Sequence, residues 1–464
     1  MIQTKVNFVL GPAGSGKTYG FIESVREHLR KAPEGRPLLF LAPKQATFQI
    51  ESQLLRDDQI QGFTRLQILS FPRLAEYLLS EFAPDQSQIL SDDGRIMILR
   101  SLLNRHASEL KAFKSVAHSQ AFTDEIGALL IDLQRHQIDA GLLKKLKARS
   151  DISTALANKL HDIELILFRY REWLDQSHLK DAEYLLDLAT TQLNSLPLPT
   201  NEQTQFFIEE LWLDGFGEMT PQELSLLAAI VRRSQIANLA FCVDPAEVAP
   251  SSWLSIWATT SEAYQRCEQV ISQFDNVTTD LIRLGRAPDS SRFKDCPELS
   301  HLEARWSAPI PMELESADQG RPIEIAHCPN RESEVAHTAR QILHFVRERQ
   351  SRFRQITVVV RRLEDYASEI KRIFNRYQIP YFIDQREPIG LHPAVVVTRY
   401  ALKLAAFHWK TDDLMAALKT QLISRELNLI NELENAADQV HSVIIFATSG
   451  NIDIGMYSAI LSGE

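Results

Sequence analysis

A chain of 464 residues, 44% hydrophobic and 24% charged, has the composition of an ordinary water-soluble globular protein, with room for two or three domains that each bury a core. A net charge of −10 excludes a uniformly basic coat for nucleic acid but not a local basic groove, and no apolar run approaches membrane-spanning length. The four cysteines, Cys242, Cys267, Cys296 and Cys328, form no C-x-x-C pair, which argues against a disulfide framework or a zinc site; with a strand pattern already under way at Val6 there is no room for a signal peptide, and a cytoplasmic chain is expected.

The first element is an apolar run, Val6-Asn-Phe-Val-Leu10, which enters Gly11-Pro-Ala-Gly-Ser-Gly-Lys-Thr18 and leaves into a helical pattern at Tyr19, Ile22, Val25 and Leu29. The loop satisfies G-x-x-x-x-G-K-[ST] at every defined position. Gly11, Gly14 and Gly16 allow a turn whose amides point inward at phosphate oxygens, with Pro12, Ala13 and Ser15 completing the cradle. The helix after the loop offers its positive end to the same charge. Lys17 is expected to reach the β- and γ-phosphates and the Thr18 hydroxyl to hold Mg²⁺, so ATP with Mg²⁺ is the expected cofactor.

Next come a short strand at Arg36 to Pro43, a helix opening at Lys44, and a third strand at Thr64 to Ser70 that leads into Phe71 and Pro72. Short strands alternating with helices behind a phosphate loop predict an α/β fold of the P-loop NTPase kind, with a parallel sheet. Lys44, Gln45, Thr47, Ser70 and Arg73 then fall past strand ends, on the carboxyl edge where ligands bind. From 86 to 199 the periodicity is helical, without strand alternation, and reads as an inserted helical subdomain. Its basic cluster, Lys144, Lys145, Lys147 and Arg149, reads more readily as a solvated helix face than as a phosphate contact.

The sheet pattern resumes at Gln205 and runs to Asp214. A strand ending in an aspartate is what a phosphate loop needs to complete a Mg²⁺ site, so Asp214 is expected beside Thr18, and Lys17 and Asp214 form the expected catalytic pair. A further strand, Ala237 to Asp244, closes the first domain, read as 1–85 plus 200–250. Residues 251–320 read as an irregular connecting region with a helix near Ser261 to Phe274. A second α/β domain is expected over 321–390, with strands at Pro322 to His327, Gln355 to Arg361 and Ile379 to Asp384, followed by helices over 391–464. The stretch from Val443 to Glu464 takes no assignment.

Taken in order, the phosphate loop, Pro43 to Phe48, Ser70 to Ala75, Asp214 to Glu223, Arg331 to Glu334, Ile379 to Asp384, His392-Pro393 and Leu418 to Thr420 resemble the AddB/RexB component of the bacterial AddAB/RexAB ATP-dependent helicase–deoxyribonuclease. The resemblance implies a UvrD-like superfamily 1 body of two RecA-like domains with helical insertions, acting with an AddA partner on double-stranded DNA ends in recombinational repair. It implies single-stranded DNA across the tops of those domains, at Lys44, Gln45, Thr47, Phe48, Ser70, Phe71 and Arg73, and a DNA- or Chi-facing place for His392. Phe48 and Phe71 read equally well as core residues. The family's carboxy-terminal nuclease domain, with its iron–sulfur cluster, has no counterpart in this sequence, so no nuclease residue is expected here.

The departures matter as much. Related motors place a glutamate directly after the metal-binding aspartate to activate water; here that position is Gly215. A position where they carry an arginine for the γ-phosphate is Ala367, and no glutamine-bearing segment precedes the first strand to read adenine. Nucleotide binding is therefore expected to survive where hydrolysis is weak or partner-dependent. Glu218 or Glu223 could replace the base, although solvated loop acids are the commoner case. Two alternatives stand beside this reading: a non-enzymatic DNA-binding scaffold with a structural nucleotide site, and an unrelated P-loop enzyme such as a small-molecule kinase.

Overall fold

Runs of Leu, Ile, Val and Phe suit strands covered on both faces, and such runs build the inner strands of a six-stranded sheet at the centre of the first unit. A computed structural model describes residues 2–82, 88–149, 151–199, 206–245, 248, 252–285, 293–306, 310–311, 323–385, 389–407, 409–440, 446–448 and 451–453. It separates into two compact units, Met1–Ile323 and Glu324–Glu464.

In the first unit the strands are β1 (Thr4–Leu10), β2 (Leu38–Leu41), β3 (Leu66–Leu69), β4 (Gln88–Leu90), β5 (Leu179–Asp181), β6 (Ile208–Leu213), β7 (Ser234–Phe241) and β8 (Val277–Arg283). Six of them form one sheet in the order β3-β2-β6-β7-β1-β8, with every pairing parallel. One face is covered by α1 (Lys17–Lys31) and α2 (Lys44–Leu54), which bury Phe21, Val25, Phe40 and Trp212. After α3 (Phe71–Phe82) the chain inserts α4 (Asp92–His106), α5 (Gln120–Arg135), α6 (Ala140–Lys147) and α7 (Thr154–Gln176), which share a separate core around Leu99, Leu130 and Leu167. It then returns as α8 (Leu185–Ser195), α9 (Pro221–Val231) and α10 (Ala258–Ile271), which with α3 cover the opposite face through Leu74, Leu193, Leu227 and Tyr264. The fold is thus α/β, a parallel sheet with helices on both faces and a helical insertion, as a RecA-like domain has.

Four details depart from the sequence reading. β8 lies in the stretch read as irregular, yet it pairs with β1 from Thr4↔Val277 to Leu10↔Arg283; its exposed Thr and Asp residues hid it, as befits an edge strand. The insertion carries a two-stranded ladder, β4 with β5, where no strand was expected. Helix α8 packs on the sheet rather than on the insertion read as 86–199. The expected strands at 322–327, 355–361 and 379–384 are not hydrogen-bonded strands among the described residues, and Pro322 lies outside them. Ile325, Val359 and Phe382 stand exposed, because a β-prone sequence makes a strand only where a neighbouring strand receives its amides.

After α11 (Pro297–Arg305), the second unit is helical: α12 (Arg331–Glu348), α13 (Ala367–Arg376), α14 (Pro393–Ala406), α15 (Thr411–Leu418) and α16 (Leu427–Val440). Val335, Ala339, Ile370 and Phe374 join α12 to α13. The stretch from Val443 to Glu464 falls outside the described residues except for a small hairpin, β9 (Phe446–Thr448) with β10 (Asn451–Asp453). Among the described residues no helix is long and apolar enough to cross a membrane.

Candidate nucleotide site at the carboxyl edge of the sheet

The loop from Gly11 to Gly16 joins the end of β1 to the start of α1. Its glycines are there for two different reasons. Gly14 and Gly16 hold φ of 81° and 89°, in the left-handed region that L side chains avoid. At Gly11 the constraint is space: a Cβ there would sit 2.9 Å from the Leu284 carbonyl oxygen and 2.3 Å from Ser15 Oγ. The neighbour that demands glycine is the residue just past β8, held by a 2.7 Å bond from Leu284 N to the Leu10 carbonyl. The edge strand missed in the sequence therefore backs the loop.

Lys17 is buried, and its ammonium donates to the carbonyls of Gly11 at 2.6 Å and Pro12 at 2.9 Å, and to Ser15 Oγ at 3.4 Å. Burial lowers its pKa, opposed by the fields of Cys242 and Asp214. The first amides of α1 have no intrahelical acceptor, so an ammonium and a row of N–H donors converge on one concavity. The Thr18 hydroxyl donates to Asp214 Oδ2, although one strand, β7, stands between β1 and β6 in the sheet. Burial raises the Asp214 carboxyl above the ordinary range, and the Thr18 hydroxyl, Lys17 and the Gly215 amide oppose it. A buried carboxyl held against a hydroxyl is a hard-oxygen pair that suits Mg²⁺, which keeps waters and substrate phosphates as its remaining ligands. Among the described residues no group of three or more His, Cys, Asp or Glu is placed to hold a metal ion.

The turn after Asp214 is shaped by packing. Gly215 has φ of 88°, and a Cβ there would meet Pro43 Cδ at 3.0 Å. Phe216 packs on Phe71 with ring centroids 5.1 Å apart, pinning this turn to the start of α3. Glu223 is committed to a capping box: its carboxylate accepts from Thr220 N at 2.9 Å, while Glu223 N donates to Thr220 Oγ at 3.3 Å. That bond removes Glu223 as a water-activating base and leaves Glu218 in the exposed loop.

Comparison with known proteins adds the lineage. The family described as ADDB, N-terminal matches residues 8–303, more than half of the chain. The chain belongs to the AddB N-terminal family. Its curated relatives include proteins named as the B subunit of an ATP-dependent helicase/deoxyribonuclease. That of Heliobacterium modesticaldum is 33% identical over 437 residues, covering 93% of this chain and 35% of the relative. Those of Natranaerobius thermophilus and Bacillus licheniformis are 31% and 28% identical, covering 93% and 94% of this chain and 36% and 37% of the relatives. The chain thus spans just over a third of the length of these AddB relatives.

The DNA-contact candidates of this AddB-family chain divide on burial. Lys44 and Gln45 are exposed at the start of α2, Thr47 donates to the Lys44 carbonyl at 3.0 Å, Phe48 is 77% exposed, and Arg73 is exposed on α3. Phe71 must be corrected: at 1% exposure it belongs to the core between α3 and the turn after Asp214, and no base can stack on it. Ser70 is buried at the end of β3, and its carbonyl accepts Leu74 N at 2.8 Å. His392 is in the second unit, where its Nδ1 accepts from Ala394 N at 3.3 Å and caps α14. Lys147 pairs with Glu164, and Arg149 with Asp151 at 2.6 Å, which makes the basic cluster of the insertion internally engaged at two of its four positions.

Proposed function

We propose that this chain is the nucleotide-holding, DNA-contacting part of an AddB component of a helicase–deoxyribonuclease, which works with an AddA partner on double-stranded DNA ends in recombinational repair. Its ligand is Mg-ATP, with Gly11 to Lys17 on the phosphates, Thr18 and Asp214 on the metal, and Lys17 and Asp214 as the groups on which any turnover depends. Single-stranded DNA lies along Lys44, Gln45, Thr47, Phe48 and Arg73 in the first unit, and His392 is a separate DNA-contact candidate in the second. The observation that carries the reading is the contact between the Thr18 hydroxyl and the Asp214 carboxylate beside the buried Lys17 ammonium. The test is the thermal shift given by Mg-ATP. It is expected in the parent protein and absent in Lys17→Ala; no shift in the parent overturns the reading.

The scaffold alternative, in which nucleotide is bound but never turned over, is favoured by one feature: Gly215 occupies the water-activating position in a backbone conformation that refuses a glutamate, and Glu223 is tied into its cap. ATPase measured with and without single-stranded DNA separates the two. DNA-stimulated turnover that Lys17→Ala abolishes supports a motor-like protein, and its absence leaves the scaffold. The kinase alternative loses its footing with membership of the AddB family.

A further inference from the structure

Beside the phosphate loop, within the first unit, lies a cavity of about 250 Å³ lined by Ala13, Ile256, Trp257, Phe293, Leu302 and Trp306. It falls just below the roughly 300–1,000 Å³ of sites that take drug-sized ligands, a size suited to one heterocycle. Three aromatic rings in so small a space are unusual next to a polar loop. Trp306 is 60% exposed, and Trp253 and Leu254 stand exposed in the same stretch as Ile256 and Trp257, so these rings are not consumed by the core.

One further fact narrows the ligand. Asp244 and Glu303 also line the cavity. Both are acids already engaged with the protein, so neither offers itself as a ligand and neither attracts a phosphate. A flat aromatic with no charge of its own suits such a wall.

We propose that this cavity takes one nucleobase, stacked on the indole rings of Trp306 and Trp257, with its phosphates left outside toward the loop. The base comes either from the nucleotide on the loop or from single-stranded DNA crossing the carboxyl edge. Because Ala13 lines it, the cavity shares a wall with the loop. The nucleotide arm rests on the triphosphate reading of the phosphate loop; the DNA arm does not.

The test compares the parent protein with Trp306→Ala, Trp306→Phe and Lys17→Ala, using Mg-ATP, Mg-tripolyphosphate and a single-stranded 12-mer oligonucleotide as probes, with affinities read by calorimetry and fluorescence anisotropy. Trp306→Ala should weaken a base-bearing probe roughly 5- to 150-fold, the weight of one base–aromatic stack, while Trp306→Phe retains most of the affinity. Tripolyphosphate should bind the parent and Trp306→Ala alike. Loss confined to Mg-ATP identifies the nucleotide as the source of the base, and loss confined to the oligonucleotide identifies DNA. Mg-ATP and oligonucleotide affinities both unchanged in Trp306→Ala overturn the proposal, as does a parent protein that binds neither. Equal loss of tripolyphosphate and Mg-ATP also overturns it, since the variant would then act through the loop. Tripolyphosphate binding that is absent, or indifferent to Lys17→Ala, sinks the phosphate-loop reading alone and leaves the oligonucleotide arm to judge the cavity.

Discussion

Replacing Gly215 with glutamate would give this chain the residue that active motors carry after the metal-binding aspartate, and the structure says the exchange fails. An L residue at φ of 88° costs about 1–2 kcal/mol in backbone strain. The new Cβ would also lie 3.0 Å from Pro43 Cδ and 3.4 Å from its Cγ, so the proline that starts α2 must give way, bringing the total to about 2–3 kcal/mol. For a unit of this size that corresponds to a fall in Tm of roughly 3–5 °C. Thermal denaturation of Gly215→Ala, Gly215→Asn and Gly215→Glu apportions the cost: Asn tolerates the left-handed region and should lose least, while Ala isolates the Cβ contact together with the strain. ATP turnover of Gly215→Glu should stay at the parent level, because strain moves the carboxylate and the Asp214 turn together. A Gly215→Glu protein that melts within about 1 °C of the parent and hydrolyses ATP at least tenfold faster refutes this reasoning.

Other expectations rest on the same geometry. Lys17→Ala should leave the Tm of the ligand-free protein nearly unchanged, since it also relieves the burial of an ammonium, but should remove the stabilisation of about 2.7 kcal/mol that Mg-ATP gives at a hundredfold excess over its Kd. Phe71→Ala should destabilise by about 3–5 kcal/mol in chemical denaturation without DNA, whereas the exposed Phe48→Ala should stay within about 0.5 kcal/mol of the parent and lose roughly 1–3 kcal/mol of single-strand affinity. Asp214 has a folded-state pKa raised by burial, so its contribution to stability is complete below the ordinary carboxylate pKa and is lost as pH rises through the raised value. Denaturation across that window should show the loss in the ligand-free protein and not in Asp214→Asn, and Mg-ATP should cancel it.

Much of the fold was legible because its signals are local. An apolar strand, a glycine-rich turn and an amphipathic helix occur within the first thirty-one residues, and the left-handed φ values at Gly14 and Gly16 are conformations glycine alone adopts without strain. Thr220 and Glu223, three residues apart, could have been recognised as a capping box ahead of Pro221, and that pairing was the available sign that Glu223 is no base. The aromatic cavity gave no such sign, since Ala13, Trp257 and Trp306 are brought together from three distant stretches.

By itself the sequence determined what a few consecutive residues can settle: where strands alternate with helices, where the backbone must turn left-handed, and which family the order of motifs resembles. Tertiary structure alone decided that Asp214, 196 residues from Thr18, meets its hydroxyl, that Phe71 is core while Phe48 is not, and that Val277–Arg283 completes the sheet. The physical reason is that backbone geometry is an energy of neighbours along the chain, whereas burial and strand pairing are energies of neighbours in space; the same Phe or Ile earns a place in the core or at the surface only when the partner element arrives.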